Sequence, residues 1–336
     1  MKRGIILVIL FLMTQALGMM LGPTNETVRT VVIDPTNPMK INAGTENVGF
    51  IRSIEGGNTS TWTSNIDDFK PPQSVAPWII MSLAIDPDHP EKMFAGTWGG
   101  VYKTSDGGET WVEFNGGFGS NSTIVNTLVI DPSNPGTIYA GLGGPIGLRG
   151  VYRSINGGSW TPILQNAGEN ILALAIKPDN SNLILAGTDI NGLKITKNGG
   201  NNWYHPIGGL PNNKQVHTIG FDPGHPNNIF VGCYGGIYKS EDAGRHWTLV
   251  YPSPTTHVYT VVVDPKNPIK VLAGLVGGDI IKSTDGGDTW NIITDLNASI
   301  YDLAIDHIKP NKIFAATQNG IYKSTDGGTS WDRVYH

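Results

Sequence analysis

Cysteine is almost missing from this chain: Cys233 stands alone among 336 residues, so no intrachain disulfide can form and stability has to come from packing. Basic residues are scarce too. Lys and Arg total 23 against 28 acids, a net charge of −5 with no basic block, which removes the electrostatic footprint of a nucleic-acid binder. The eight histidines show no His-x-x-x-His pairing, and no loop has the pattern of a calcium-binding hand, so neither a metal nor a cofactor is expected. Beyond the N-terminus no apolar run is long enough to cross a bilayer, and an integral membrane protein is not expected.

The N-terminus itself reads as an export signal. Lys2 and Arg3 precede GIILVILFLMTQALG, and small residues stand at Ala16 and Gly18, where a signal peptidase would cut. Residues 1–18 are therefore expected to be a signal peptide and 19–26 a short tail, and the mature chain to be secreted, periplasmic or held at the cell surface. No cysteine stands at the expected mature start, so no lipid anchor is expected there.

Glycine is abundant, at 44 residues, and it punctuates short β-branched and aromatic runs, the mark of an all-β chain. One Gly-rich turn recurs seven times, each copy closing on a tryptophan: Trp62, Trp111, Trp160, Trp203, Trp247, Trp290 and Trp331. Successive spacings are 49, 49, 43, 44, 43 and 41 residues, the length of a propeller blade. Each repeat opens on an apolar run such as TLVIDP or TVVVDP, fit for a strand buried on both faces, then turns through Pro and Asn. Two further strands, the Gly-rich turn and an outer strand complete it. The expectation is a seven-bladed β-propeller with four antiparallel strands per blade, spanning 27–66, 78–115, 123–164, 170–208, 215–251, 257–295 and 299–336. Because the first and last repeats are complete, no strand should be exchanged at the closure of the ring.

The turns carry a resemblance. Thr104–Trp111 and Ser283–Trp290 fit S/T-x-D-x-G-x-T-W at every position, and the pattern is similar to the Asp-box of the BNR-repeat proteins. Nearly all of the expected mature chain is covered. The resemblance implies that Asp106, Asp242, Asp285 and Asp326, with the seven tryptophans, form scaffolding in the turns between the third and outer strands, on the face opposite the ligand site. Proteins of this kind include sialidases, xyloglucan-specific endoglucanases with two tandem propellers, the sortilin ectodomain and photosystem II assembly factors. A sialidase needs three converging arginines. Arg52 and Arg153 fall in a column otherwise filled by lysine, Arg245 is in a turn and Arg333 in an outer strand, leaving only Arg29 and Arg149.

The endoglucanase resemblance points to a Thr-Asp-x-Gly-Gly phrase, matched in part by TDING, with Asp189, and TENVG, with Glu46. Glycoside hydrolysis needs two carboxyls about 5–9.5 Å apart, whereas strands spaced about 4.8 Å apart would leave these two repeats roughly 20 Å or more from each other. Asp302 and Tyr301 of the last repeat are better neighbours for Arg29 and Glu46. Glu46, Asp189 and Asp302 are thus the candidate acids, without a firm catalytic pair. The leading expectation is a monomeric binding scaffold for an extracellular protein or polysaccharide, the alternative a glycoside hydrolase of the xyloglucanase-like type. The candidate ligand site lies at the channel mouth, with Trp78 and Trp98 as a platform on the side of the second and third repeats, where TSNIDDFKPPQSVAP and GLGGPIGLRG enlarge the loops. Arg29, Met81, Asn126, His217, Tyr259 and Tyr301 add a mixed polar and aromatic rim. Four glycosylation sequons, at Asn25, Asn58, Asn121 and Asn297, fall in expected turns, loops or termini.

Overall fold

A computed structural model describes residues 26–65, 79–119, 123–144, 148–165 and 168–336. The expected signal segment, most of the long loop after the first repeat, Trp78 and the sequons at Asn25 and Asn121 lie outside the described residues. Everything described is strand, turn or loop, in antiparallel sheets ordered as the chain runs. No helix among the described residues is long and apolar enough to cross a membrane.

The sheets number six, which corrects the expectation of seven four-stranded blades. Four sheets have four strands, one has three and one has six. The six-stranded sheet arises because Thr248–Val263 never breaks: it pairs first with Ile229–Ser240 and then with Val271–Leu275, joining the fifth and sixth repeats. The reason lies in Pro252-Ser253-Pro254-Thr255-Thr256. Proline and β-branched threonine favour extended backbone, and no Gly or Asn is present to turn the chain. The three-stranded sheet, Ile171–Lys177, Asn180–Thr188 and Leu193–Thr196, has a single bridge from Ile195 to Tyr204 where a fourth strand was expected. Pro206, two residues on, lacks the N–H that a longer ladder would use.

Apolar clusters fill the spaces between adjoining sheets. Where the chain ends meet, Val28, Val31 and Ile51 pack on Phe314, Ile321 and Val334, and the Trp62 and Tyr335 rings lie 5.6 Å apart. Among the described residues no strand is exchanged there: Val28–Ile33 heads the first sheet, and Asp332–Tyr335 ends the last. Full burial of an aromatic such as Phe314 contributes about 1.5–3 kcal/mol, so the seam is held by side chains alone.

The repeated turns fix the rim of the opposite face. In the sixth repeat the Asp285 carboxylate accepts the backbone N–H groups of Asp288 (3.1 Å) and Thr289 (2.9 Å) and the hydroxyls of Ser283 (2.7 Å) and Thr289 (2.5 Å). These bonds, the Thr289 hydroxyl first, lower its pKa to about 2. Gly57 and Gly108 take positive φ, and a Cβ on either would lie 2.5 Å from the Phe314 or Phe50 ring of the neighbouring repeat. Only glycine permits that approach.

Candidate functional site

The innermost strands share an irregularity that shapes the channel mouth. Val28 pairs with Thr45 and Thr30 with Gly44, so Arg29 between them faces no partner, a β-bulge. The slip recurs in every repeat and leaves Met81, Asn126, Leu172, His217, Tyr259 and Tyr301 in the same situation. All seven bulge residues line one cavity of about 180 Å³. Six of them were singled out from sequence; Leu172 was missed, though it stands in the same column. Packing accounts for the close approach of neighbouring repeats. Gly44 and Gly274 sit opposite the residue after the bulge, where a Cβ would come within 2.4 Å of Ile80 or Ile300 of the next repeat.

A second ring lies just below, with hydroxyls at Thr30, Ser82, Thr127, Thr218 and Thr260 and a carboxylate at Asp302. Several of its members stitch one innermost strand to the next: Leu128 N–H donates to Ser82 Oγ (3.1 Å) and Val261 N–H to Thr218 Oγ1 (3.4 Å). Asp302 does the same across the seam, accepting Val31 N–H and the Thr30 hydroxyl on Oδ2, each at 3.0 Å. Burial raises its pKa to about 6, against the pull of those hydrogen bonds. Its position is that of Ser82 and Thr218, whose hydroxyls link innermost strands in the second and fifth repeats.

The other two candidate acids are also engaged. Glu46 receives Arg29 Nε–H at 2.6 Å, and the Arg29 guanidinium lies 4.2 Å from the centre of the Tyr301 ring. Asp189 accepts the backbone N–H of Asn170 (2.9 Å) and its side-chain amide (2.7 Å), fixing a loop in the fourth repeat. The cavity lining includes Asp302 but neither Glu46 nor Asp189. Arg149 is likewise spent on its own loop, donating to the Gly144 carbonyl at 2.9 Å.

Around one half of the mouth the rings form a continuous arc. Tyr234 meets His257 (4.8 Å between centres), His257 stacks on Tyr259 (5.8 Å), and Tyr259 stacks on Tyr301 (5.6 Å). His217 stands edge-on to Tyr259 at 4.9 Å, and its Nε2 meets His257 Nδ1 at 2.8 Å, so one nitrogen donates and the other accepts. Burial first, then the neighbouring His257, lowers the His217 pKa to about 4, and burial lowers that of His257. Both are neutral near pH 7. Tyr234 and His257 escaped sequence reasoning because the bulge column does not contain them; the signal available was a His just before the innermost strand of the sixth repeat.

Trp98 is 42% exposed in the turn between Met93–Thr97 and Gly100–Thr104. It is not part of the cavity lining. Its proposed companion, Trp78, lies outside the described residues, as do 145–147 of the enlarged loop in the third repeat. Among the described residues no group of three or more His, Cys, Asp and Glu is arranged to hold a metal ion.

No family model matches the chain. A stretch of 96 residues, 27% of the chain, is 30% identical to the oligoxyloglucan-reducing end-specific xyloglucanase of Emericella nidulans, of which it covers 11%. Among solved structures, the GH74 xyloglucanase of Xanthomonas campestris superposes with a TM-score of 0.73 at 17% identity, over 93% of this chain and 55% of the enzyme. YCF48 bound to D1 peptide gives a TM-score of 0.66 at 18% identity, over 90% of this chain and 94% of that one. The chain thus spans about half of the xyloglucanase and nearly all of YCF48. At these identities the likeness is one of fold, and the architecture it establishes is an all-β propeller shared with xyloglucanase-like enzymes and with YCF48.

Proposed function

We propose that this chain is an extracellular binding propeller that holds a carbohydrate chain at its channel mouth, on the arc formed by Tyr234, His257, Tyr259, Tyr301 and Arg29. The observation that carries this reading is the bulge ring. Seven side chains are freed from strand pairing and aimed at one opening, and on one half of it they are aromatic or cationic. Tyrosine faces pack against the C–H faces of sugar rings, and the Arg29–Glu46 pair supplies donors and acceptors at the edge. Export is part of the proposal, on the basis of the N-terminal apolar run, and so is a monomeric state. The proposed platform has shifted from the side of the second and third repeats to that of the fifth, sixth, seventh and first.

Titration calorimetry with xyloglucan oligosaccharides, cellooligosaccharides and short peptides tests it. Saccharide binding that Tyr301→Ala weakens supports the reading, whereas saturable peptide binding alone would transfer the site to a protein partner. A hydrolase is the second reading, favoured by the 96-residue similarity to a xyloglucanase. In that reading Asp302, with its pKa raised to about 6, would serve as the proton donor. Release of reducing ends from xyloglucan, lost in a folded Asp302→Asn variant, would establish it.

A further inference from the structure

A cavity of about 780 Å³ is on the opposite face, where the turns of the sixth, seventh and first repeats meet. Five lysines line it: Lys266, Lys270, Lys309, Lys312 and Lys323. This concentration stands out in a chain with a net charge of −5. Three carboxylates share the lining, Glu55, Asp264 and Asp306. Two of them are committed to turn geometry: Asp264 Oδ1 accepts the N–H groups of Lys266 and Asn267, and Asp306 Oδ1 those of Ile308 and Lys309.

Lys312 Nζ is ion-paired with Asp306 Oδ2 at 3.9 Å, and the other four ammonium groups make no ion pair among the described residues. Lys312 Nζ donates to the Pro38 carbonyl at 2.7 Å, Lys266 Nζ to that of Ile308 at 2.8 Å, and Lys323 Nζ to Asn58 Oδ1 at 3.3 Å. Each ammonium has three N–H donors, so these contacts aim the groups and leave further donors for a ligand. Burial lowers the affinity of Lys312 for its proton; Asp306 opposes this, while Lys323 and Lys309 add to it by repulsion. Lysines held close enough to repel one another are relieved by an anion between them.

We propose that this basin is a second ligand site, for a multivalent oxyanion: the closely spaced carboxylates or sulfates of an acidic polysaccharide, or a free condensed phosphate. Its volume suits several charged groups rather than one, and lysines, unlike arginine forks, accept oxyanions without demanding a planar geometry. No aromatic side chain lines the basin, so the stacking that single-stranded nucleic acid requires is not provided. The site stands apart from the channel mouth and does not depend on what that mouth binds.

Calorimetry on the whole protein, with tripolyphosphate and with an oligogalacturonate as separate probes, tests the proposal. At least one probe should bind, with affinity falling as salt is raised. Lys270→Gln combined with Lys309→Gln should weaken binding by roughly tenfold, because the turns use the backbone of these residues rather than their side chains. Oligogalacturonate alone would identify a glycan source, and tripolyphosphate alone a free anion. The proposal is overturned if neither probe binds at millimolar concentration, if the double variant binds as the wild type does, or if Lys197→Gln, a charge change at Tyr204 outside the basin, weakens binding as much.

Discussion

The two ends of this propeller use repetition in opposite ways. In the turns of one face the same residue does the same task in repeat after repeat: Asp106, Asp242, Asp285 and Asp326 each accept a hydroxyl two residues back and a backbone N–H ahead. At the channel mouth the backbone repeats just as faithfully, yet the seven bulge positions hold arginine, methionine, asparagine, leucine, histidine and two tyrosines. Where the residue is constant, its partners lie within its own turn or the adjoining repeat. Where it varies, the backbone makes no demand on it. The scaffolding turns and the proposed binding surface are thereby separated by the length of a strand.

Breaking the scaffold should have the largest effect. Phe314→Ala removes a fully buried ring from the seam between first and last repeats and should cost about 3–5 kcal/mol in urea unfolding, without changing the mouth. A loss below 1 kcal/mol would mean that the seam does not hold the ring shut. Tyr301→Ala should do the converse. It is expected to weaken saccharide binding by about 1–3 kcal/mol, roughly five- to 150-fold, with unfolding little affected. Equal affinity in a folded Tyr301→Ala protein would remove the arc from the site.

Acid should distinguish the two ends by pH. His217 has its pKa lowered to about 4 from an unfolded value near 6.5, so the unfolded chain binds the extra proton in that window. The stability it contributes is present above about pH 6.5 and lost as pH falls towards 4, with a slope of at most about 1.4 kcal/mol per pH unit. His217→Gln should flatten that segment of the pH profile. The turn carboxylates act lower down: with Asp285 held at about 2, its contribution is present above about pH 4 and disappears as pH falls through 2. Asp285→Asn should lower the melting temperature at pH 7 and leave it nearly unchanged at pH 2, with saccharide affinity the same. The smallest effect is expected from Trp98→Ala, whose exposed ring is outside the mouth cavity. A loss of affinity exceeding that of Tyr301→Ala would return the platform to the second repeat.

Much of the architecture was legible in the sequence, and what was hidden had physical causes. The repeat period and the strands could be read because tryptophan, glycine and alternating apolar runs recur at fixed offsets. The sheet count could not, because a connection written with Pro and Thr reads as a loop yet continues as strand through 252–256. The rim was found column by column, but the bulge that makes it has no residue signature, since its identity changes in every repeat. Asp302 could be picked out from sequence only as an acid beside Arg29. Its role as counterpart of Ser82 and Thr218 depends on hydrogen bonds between repeats 272 residues apart in the chain.

The bulge also bears on how such a protein can change. A residue that faces no partner across the ladder can be exchanged without re-registering a strand, and each of the seven opens on the same small space. Point mutations there are free to act one at a time, whereas the hydroxyl ring beneath keeps the innermost strands in place. The mouth is in effect an alphabet of seven independent letters on a fixed page, from which new selectivities can be drawn by evolution or by a small combinatorial library without refolding the chain.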